Sequence, residues 1–452
     1  MSREPRPTLP PRERVLVCGV LLGDQRPEHE GPLSEVRGLV RAADGEVVGP
    51  GIVQRRERPH PATLMGKGKA QEVADAVQSM HPDAVVVDND LTPAQGRNLE
   101  KIWGVRVIDR SELILDIFAR RARTRQASLQ VELAQNEYLF PRLRRMWTHL
   151  ERTEGAIGAR GPGETQLETD RRLLRKRIRD LKAELDQIEQ RRMREVRTRT
   201  DVFTIGLVGY TNAGKSTLLN RLTGSREFVA DMLFATLDTR TRQWELSDGR
   251  IVLLSDTVGF LGRLPHHLVA SFHATLEEAL TADVLLHVVD GAHPDAAGQM
   301  AAVERVLGEL SHHTHADVLV FNKIDHVGDG IELALLSSDR EESVVYLSAA
   351  TGEGLDRLDA VVRERLDARS ALLDLFLPLA DGRLAASVRG VGGVLEEEVI
   401  GDAELRLRVR LDAGALGNLR RQAAGELRFE LLEPPREGID GLAAFEFPTE
   451  PA

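Results

Sequence analysis

Three things are scarce in this chain, and each scarcity excludes a class. Its 452 residues hold 1 cysteine, and basic residues are outnumbered, with Lys+Arg 60 against Asp+Glu 71 for a formal net charge of -11. Long apolar runs are also missing: none approaches the roughly 20 residues that a membrane helix needs. The lone Cys18 excludes an internal disulfide framework and a multi-cysteine metal site. It lies in the apolar run 15–22 and reads as a small core residue rather than a nucleophile. The start of the chain, residues 1–13, is rich in proline and charge, so no signal peptide is expected. A cytoplasmic protein without a membrane span is the expectation. The acidic balance argues against general nucleic-acid binding. Hydrophobic content of 42% and charged content of 29% indicate a soluble globular protein, long enough for about two to four domains.

What is present is more specific. Gly209-Tyr210-Thr211-Asn212-Ala213-Gly214-Lys215-Ser216 is a G-x-x-x-x-G-K-S phosphate loop. It follows the strand-like run 203–208 and opens the helical run that begins at Thr217, the context that separates a true phosphate loop from a chance match. Its glycines let backbone N–H groups turn inward around phosphate oxygens. Lys215 supplies a point charge to the β and γ phosphates, the Ser216 hydroxyl can ligate Mg²⁺, and the helix start adds its positive dipole end. Asp256-Thr257-Val258-Gly259 follows the run 251–254. The carboxylate can hold the Mg²⁺ shell and Gly259 lets the backbone approach a γ-phosphate. Asn322-Lys323-Ile324-Asp325 follows the run 318–321. An aspartate there accepts both N1–H and N2–H₂ of guanine, a donor pair that adenine lacks, so GTP is the expected substrate. Ser348-Ala349, after the run 344–347, can lend a backbone N–H to guanine O6.

A fifth element is expected between the phosphate loop and Asp256, a threonine whose hydroxyl reaches Mg²⁺ and whose N–H reaches the γ-phosphate. Thr236, in Phe234-Ala235-Thr236-Leu237-Asp238, is the choice over Thr239 and Thr241. The expected nucleotide set is therefore 209–217, Phe234, Thr236, 256–259, Asn322, Lys323, Asp325, Ser348 and Ala349. Lys215, Thr236 and Gly259 stand nearest the chemistry, and Ser216 and Thr236 are the metal ligands. Where GTPases of the Ras type place a water-orienting glutamine, this chain has Phe260. A phenyl ring cannot orient water by hydrogen bonding. Slow intrinsic hydrolysis is expected, with the rate supplied by a partner, a monovalent cation or a backbone rearrangement. Asn212 is open to two readings: it marks GTPases that use K⁺ as a fixed charge, or it tolerates a left-handed turn.

The chain falls into four stretches, of an overall α/β class. Residues 14–110 alternate strand signals (15–22, 47–53, 84–87, 105–108) with helical ones (68–80, 92–103), as in a small α/β layer domain with a partly parallel sheet. Within it, Gly66-Lys67-Gly68-Lys69 stands at a helix start, either a phosphate contact or an exposed turn. Residues 111–200 are helical, with Ser111 as N-cap. Arg120, Arg121, Arg123 and Arg125 cluster, as do Arg142, Arg144 and Arg145. From near Thr165 to about Arg199, Leu174, Ile178, Leu181, Leu185 and Ile188 recur at coiled-coil spacing. The simplest arrangement is an arm of two antiparallel helices, the second of about 33 residues reaching roughly 50 Å. At its tip, Gly158-Ala159-Arg160-Gly161-Pro162-Gly163-Glu164-Thr165 cannot continue a helix. Arg160, Gly161 and Gly163 are the candidate RNA contacts: the backbone can approach closely and Arg160 can pair with phosphate or stack on a base. The alternative is a hairpin turn with a solvated charged face. Residues 201–367 form the GTPase domain with a parallel sheet flanked by helices. Residues 371–452 form a small α+β domain with strands at 372–379 and 405–411, a turn at 390–393, and the acidic run Glu396-Glu397-Glu398.

These motifs together resemble the HflX family. The resemblance rests on Met65-Gly66-Lys67-Gly68-Lys69, Leu91-Thr92-Pro93-Ala94-Gln95, Val107-Ile108-Asp109-Arg110 continuing to Phe118, Leu129-Gln130-Val131-Glu132-Leu133-Ala134, the loop Arg160–Glu168 and the GTPase segments above. It covers about residues 14–370. It implies binding to the large ribosomal subunit and its RNA, with the arm loop reaching toward the peptidyl-transferase region. It further implies splitting or rescue of stalled ribosomes, notably under heat or antibiotic stress. Some members also bind ATP through the N-terminal region. The pattern departs at Lys67, where a small residue is expected, and at Ala159, where glycine is. A monomer with Mg²⁺ and GTP is expected. The competing readings are a switch acting on a protein effector and a nucleotide-dependent RNA-binding module.

Overall fold

The computed structural model describes residues 12–23, 31–145, 162–197, 203–225, 233–234, 240–257, 259–262, 280, 282–310, 316–328, 330–338, 340, 343–391, 393–401, 403–423 and 427–436. Where the sequence divides the chain into four stretches, its contacts gather it into two compact units. The first comprises Met1–Ile188, Ala230–Asp238 and Arg263–Ala274; the second comprises Glu189–Val229, Thr239–Gly262 and Thr275–Ala452.

In the first unit, strands β1 (Arg14–Leu22), β2 (Glu46–Arg56), β3 (Ala84–Val87) and β4 (Arg106–Asp109) form a parallel sheet in the order β2-β1-β3-β4. Helices α1 (Ser34–Ala42), α2 (Lys67–Met80), α3 (Pro93–Trp103) and α4 (Arg110–Arg121) connect and flank it. Short all-apolar strands such as Ala84–Val87 are buried on both faces, as a parallel sheet between helix layers requires. One face packs Leu16, Cys18 and Val20 against Val73, Val77, Leu99 and Trp103. Cys18 is buried there, and burial pushes its thiol pKa up, in line with a core residue. Helix α3 begins at a capping box, Thr92 with Gln95. Helix α4 is capped by Asp109, whose side chain accepts from Glu112 N at 2.9 Å, two residues earlier than the expected cap Ser111. The Ser111 hydroxyl donates to Asp90 instead.

The arm grows from this unit. Helix α5 (Arg125–Leu139) packs against α6 (Pro162–Arg197) through Leu129, Leu133, Ile178, Leu181, Leu185 and Ile188. Arg125 meets Glu184, Glu132 meets Arg177, and Phe140 lies under Arg171 and Arg175, a sequence of contacts that runs antiparallel. The coiled-coil stripe is thus a real packing seam. Helix α6 starts at Pro162 rather than near Thr165, because proline suits the first helical turn, where its missing N–H has no partner to lose.

In the second unit, six strands lie in the order β10-β9-β8-β5-β7-β6. They are β5 (Thr204–Gly209), β6 (Arg240–Glu245), β7 (Ile251–Asp256), β8 (Val284–Asp290), β9 (Val318–Asn322) and β10 (Ser343–Tyr346). All pairs are parallel except β6 with β7. Helices α7 (Lys215–Thr223), α8 (Ala296–Leu310), α9 (Ile331–Ser337) and α10 (Leu355–Arg369) accompany them. The C-terminal stretch is a β-α-β-β-α-β unit: β11 (Ala371–Pro378), α11 (Gly382–Val391), β12 (Gly393–Ile400), β13 (Glu404–Leu411), α12 (Ala413–Gln422) and β14 (Arg428–Glu433). Its antiparallel sheet has the order β12-β13-β11-β14. Gly390 lies within α11, so the expected turn at 390–393 is a helix end. Arg250 ties the β6–β7 turn to α10 through Asp367, at 2.7 Å.

Leu181 is fully buried in the arm seam. We expect Leu181→Ala to cost about 2–5 kcal/mol locally and to speed amide hydrogen exchange in α5 and α6 by roughly two orders of magnitude or more. Unchanged exchange there would show that the seam does not hold the arm.

Candidate nucleotide site

The site is built at the carboxyl ends of the parallel strands of the second unit, where an α/β sheet leaves its ligand crevice. Strand β5 runs into the phosphate loop, and the loop's shape depends on two glycines. A Cβ on Gly209 would collide with the Val288 carbonyl of β8, and Gly214, at φ 91, would drive one into the Asn322 side chain. Asn212 stands at φ 63, the left-handed conformation that asparagine tolerates. Gly214 is the N-cap of α7, so the first free N–H groups of that helix face the loop.

Lys215 is buried, and its Nζ donates to Gly209 O and Tyr210 O, each at 2.9 Å. Burial lowers its pKa to about 8, with the Asp256 carboxylate working the other way. The Ser216 hydroxyl donates to Asp256 Oδ2 at 2.7 Å. A hydroxyl and a carboxylate side by side under a phosphate loop are a hard-oxygen donor set that fits Mg²⁺. Asp256 itself is buried at the end of β7. Thr257 is turned inward: its hydroxyl donates to Leu207 O at 2.6 Å and secures the DxxG segment to the sheet.

Gly259 lies on the phosphate loop. A Cβ there would stand 2.8 Å from Thr211 Cα and 3.1 Å from Lys215 Nζ, so only glycine brings the backbone this close. The next residue explains why no polar side chain is available. The Phe260 ring is 1% exposed, while its backbone bridges to the phosphate loop: Phe260 N donates to Gly209 O at 3.1 Å and Thr211 N donates to Phe260 O at 2.7 Å. Gly262 N donates to the Tyr210 hydroxyl at 2.7 Å. The hydrophobic residue that replaces a water-orienting glutamine therefore anchors the segment and leaves water positioning to other groups.

The base-side residues converge as expected. Asn322 ends β9, donates from Nδ2 to Ala213 O at 2.8 Å and accepts from Ala349 N at 2.9 Å, joining the phosphate loop to the Ser348-Ala349 loop. Lys323, at φ 64, reaches back to Asp290 at 2.7 Å. A hydrogen bond from Ser348 is the main cause that holds the Asp325 carboxyl below the usual carboxylate range. Asp290 was not among the expected site residues, although it ends a strand-like run as Asp256 does. His287, one strand position before Val288, is buried and neutral; burial, with Arg340 and Lys215 adding to it, lowers its pKa to about 3.

Other expected positions behave differently. Phe234 is buried in the first unit, its ring edge-on to that of Phe118. Thr236, Val258, Arg160 and Gly161 lie outside the described residues. Gly163 is in the first turn of α6 rather than in a loop. Gly66 caps α2 and donates its N–H to Gln54 Oε1 at 2.8 Å, and Lys69 pairs with Glu72, so the turn is already partnered without phosphate.

A phosphate loop between β5 and α7, an aspartate at the end of β7 and an Asn-Lys-x-Asp segment at the end of β9 define a P-loop GTPase. Family models described as GTP-binding GTPase N-terminal, GTP-binding GTPase Middle Region and 50S ribosome-binding GTPase match residues 30–119, 121–199 and 204–323. The protein from Escherichia coli (strain K12) named GTPase HflX is 46% identical over 381 residues, covering 84% of this chain and 89% of that one. Its namesakes from Lacrimispora saccharolytica and Caldanaerobacter subterraneus subsp. tengcongensis are 44% identical (85% of this chain, 90% of that one) and 41% identical (86% and 88%). The chain belongs to the HflX family and is a GTP hydrolase. No helix among the described residues is long and apolar enough to cross a membrane.

The lowered pKa of Lys215 sets a pH dependence. Phosphate binding needs the charged amine, which is present below about 8; above it the protein must take up a proton to bind. GTP affinity is therefore expected to be flat up to about pH 8 and then to fall toward about tenfold per unit. Titration calorimetry near pH 9 should show uptake of close to one proton, and a flat affinity from about pH 7 to 9 would show that burial does not perturb this lysine.

Proposed function

We propose that this GTPase binds the large ribosomal subunit and splits or rescues stalled ribosomes, docking in its GTP form and leaving after hydrolysis. The observation that carries the proposal is the burial of the Phe260 ring beside the phosphate site that Lys215, Ser216, Asp256 and Gly259 form. Without a side chain to orient water, intrinsic hydrolysis is slow and an outside surface has to complete the site. The match of residues 204–323 to the model described as 50S ribosome-binding GTPase supports the ribosome as that surface.

In this reading Lys215 and the N–H groups at the start of α7 hold the β and γ phosphates. Ser216 and Thr236 are the Mg²⁺ ligands, with Asp256 in the surrounding shell; when bound, the ion offsets phosphate charge. Gly259 offers its N–H to the γ-phosphate. Asp325 accepts from guanine N1–H and N2–H₂, and Asn322, Lys323, Ser348 and Ala349 shape the pocket that holds the base. Asn212 is the candidate contact for K⁺ as an added positive charge. The arm presents Arg160, Gly161 and Gly163 to ribosomal RNA, with the half-buried Arg171 and the exposed Arg175 of α6 adding to the basic footprint. In this reading the protein works in the cytoplasm.

The test is GTP hydrolysis by the full chain in K⁺ and in Na⁺ buffers, with and without large ribosomal subunits. The expected result is stimulation by the subunits of about 10³-fold or more, comparable to other partner-completed GTPases. A rate unchanged by ribosomes would overturn the ribosomal reading in favour of a protein effector. A higher rate in K⁺ than in Na⁺ would assign the cation role to Asn212. Separately, Arg160→Ala is expected to weaken subunit binding and reduce its salt dependence by about one contact while leaving GTP affinity intact. RNA binding unaffected by this change would remove the arm tip from the contact.

A further inference from the structure

Among the described residues of the phosphate loop, one buried side-chain polar atom has no hydrogen-bond partner, the Thr211 hydroxyl. The residue is 5% exposed. A hydroxyl shut away from water and left unpaired is costly, so folding alone does not account for it. The neighbouring polar groups of the loop are engaged: Lys215 Nζ donates to Gly209 O and Tyr210 O, and Ser216 donates to Asp256. The surroundings of Thr211 show where a partner would come from. Thr211 N donates to Phe260 O at 2.7 Å, which fixes the residue against the DxxG segment. A Cβ on Gly259 would stand 2.8 Å from both Cα and Cγ2 of Thr211 and 3.1 Å from Lys215 Nζ. The hydroxyl shares a carbon with that methyl group, so it stands beside the narrow space between Gly259 and the Lys215 ammonium.

We propose that the Thr211 hydroxyl is a γ-phosphate contact and thereby sets the preference for GTP over GDP. It donates one hydrogen bond to a γ-phosphate oxygen and keeps its own proton. Folding has already stripped this hydroxyl of water, so nucleotide binding has no further dehydration of it to overcome. A hydrogen bond to a charged phosphate oxygen is also roughly twice as strong as one between neutral groups. GDP has no γ-phosphate and gains nothing from the contact. Orienting the attacking water is no part of this role, which leaves that task with the partner surface. The contact rests on the reading of Lys215 and Gly259 as neighbours of the γ-phosphate.

The experiment measures the affinity of the full chain for the β,γ-imido analogue of GTP and for GDP, using fluorescent nucleotides, together with the thermal midpoint without nucleotide. The variants are Thr211→Val, Thr211→Ser and Gly259→Ala. Valine keeps the shape of threonine and removes the hydroxyl. Thr211→Val is expected to weaken the GTP analogue about 10- to 100-fold, the range for a lost hydrogen bond to a charged group, and to leave GDP within about twofold. Its thermal midpoint is expected to stay level or to rise, because a methyl in place of an unpaired buried hydroxyl removes a desolvation penalty. Thr211→Ser, which keeps the hydroxyl, is expected to retain most of the preference for the analogue. An unchanged ratio in Thr211→Val, or equal losses for both nucleotides, would overturn the proposal. A lowered midpoint would do the same by showing that the hydroxyl has a structural partner. An equal loss in Thr211→Ser would do so by showing that shape and not the hydroxyl matters. Gly259→Ala, whose added Cβ crowds Thr211 and Lys215, is expected to weaken the analogue and spare GDP. If it spares the ratio while Thr211→Val lowers it, the reading of Gly259 fails and the Thr211 contact stands. The reverse result removes Thr211 and keeps Gly259.

Discussion

One carboxamide holds the nucleotide site together. Asn322 donates to the Ala213 carbonyl inside the phosphate loop and accepts from Ala349 N in the loop that faces the base. Both bonds are buried, where an unpaired partner would carry its full desolvation penalty of about 1–3 kcal/mol. A strand end, a phosphate loop and a base loop, far apart in sequence, thereby share one side chain. Gly214 has to be glycine because that side chain occupies the space a Cβ would take.

Around that contact the electrostatics divide into two layers. Lys215 is a cation taken out of water: burial lowers its pKa to about 8, while the two carbonyls that accept from it favour the charged form. Ser216 and Asp256 form the oxygen pair beside it. The outer layer is backbone rather than side chain. Phe260 contributes its N–H and C=O to the phosphate loop and sends its ring into the core. Among the described residues of this segment, Phe260 supplies backbone groups and no side chain that could orient water.

Much of this was legible in the sequence, and the parts that were not share a cause. Strong local signals survived: the apolar strands, the helical stretch 92–103, the heptad seam of α6 and each motif at a strand end. Helix α1 escaped notice because residues 34–42 carry no side-chain cap and only a short apolar stripe. The cap of α4 was misplaced by two residues because Asp109 and Ser111 both suit the role, and only the neighbouring Asp90 decides between them. Phe234 looks like part of a nucleotide-facing segment by its spacing. Its seat against Phe118 depends on a helix more than a hundred residues away.

By itself the sequence determined the motifs: a phosphate loop, an aspartate at a strand end, an Asn-Lys-x-Asp segment and a phenylalanine in place of a glutamine. Those are local facts, since spacing along the chain brings four to eight residues to one strand end. Tertiary structure alone decided which partners those residues take. The Asn322 bridge, the Phe260 backbone pairing, Lys323 on Asp290 and the burial of Phe234 all join segments that only folding makes neighbours. Hydrogen bonds and burial are pairwise quantities, and a chain written in one dimension carries only half of each pair.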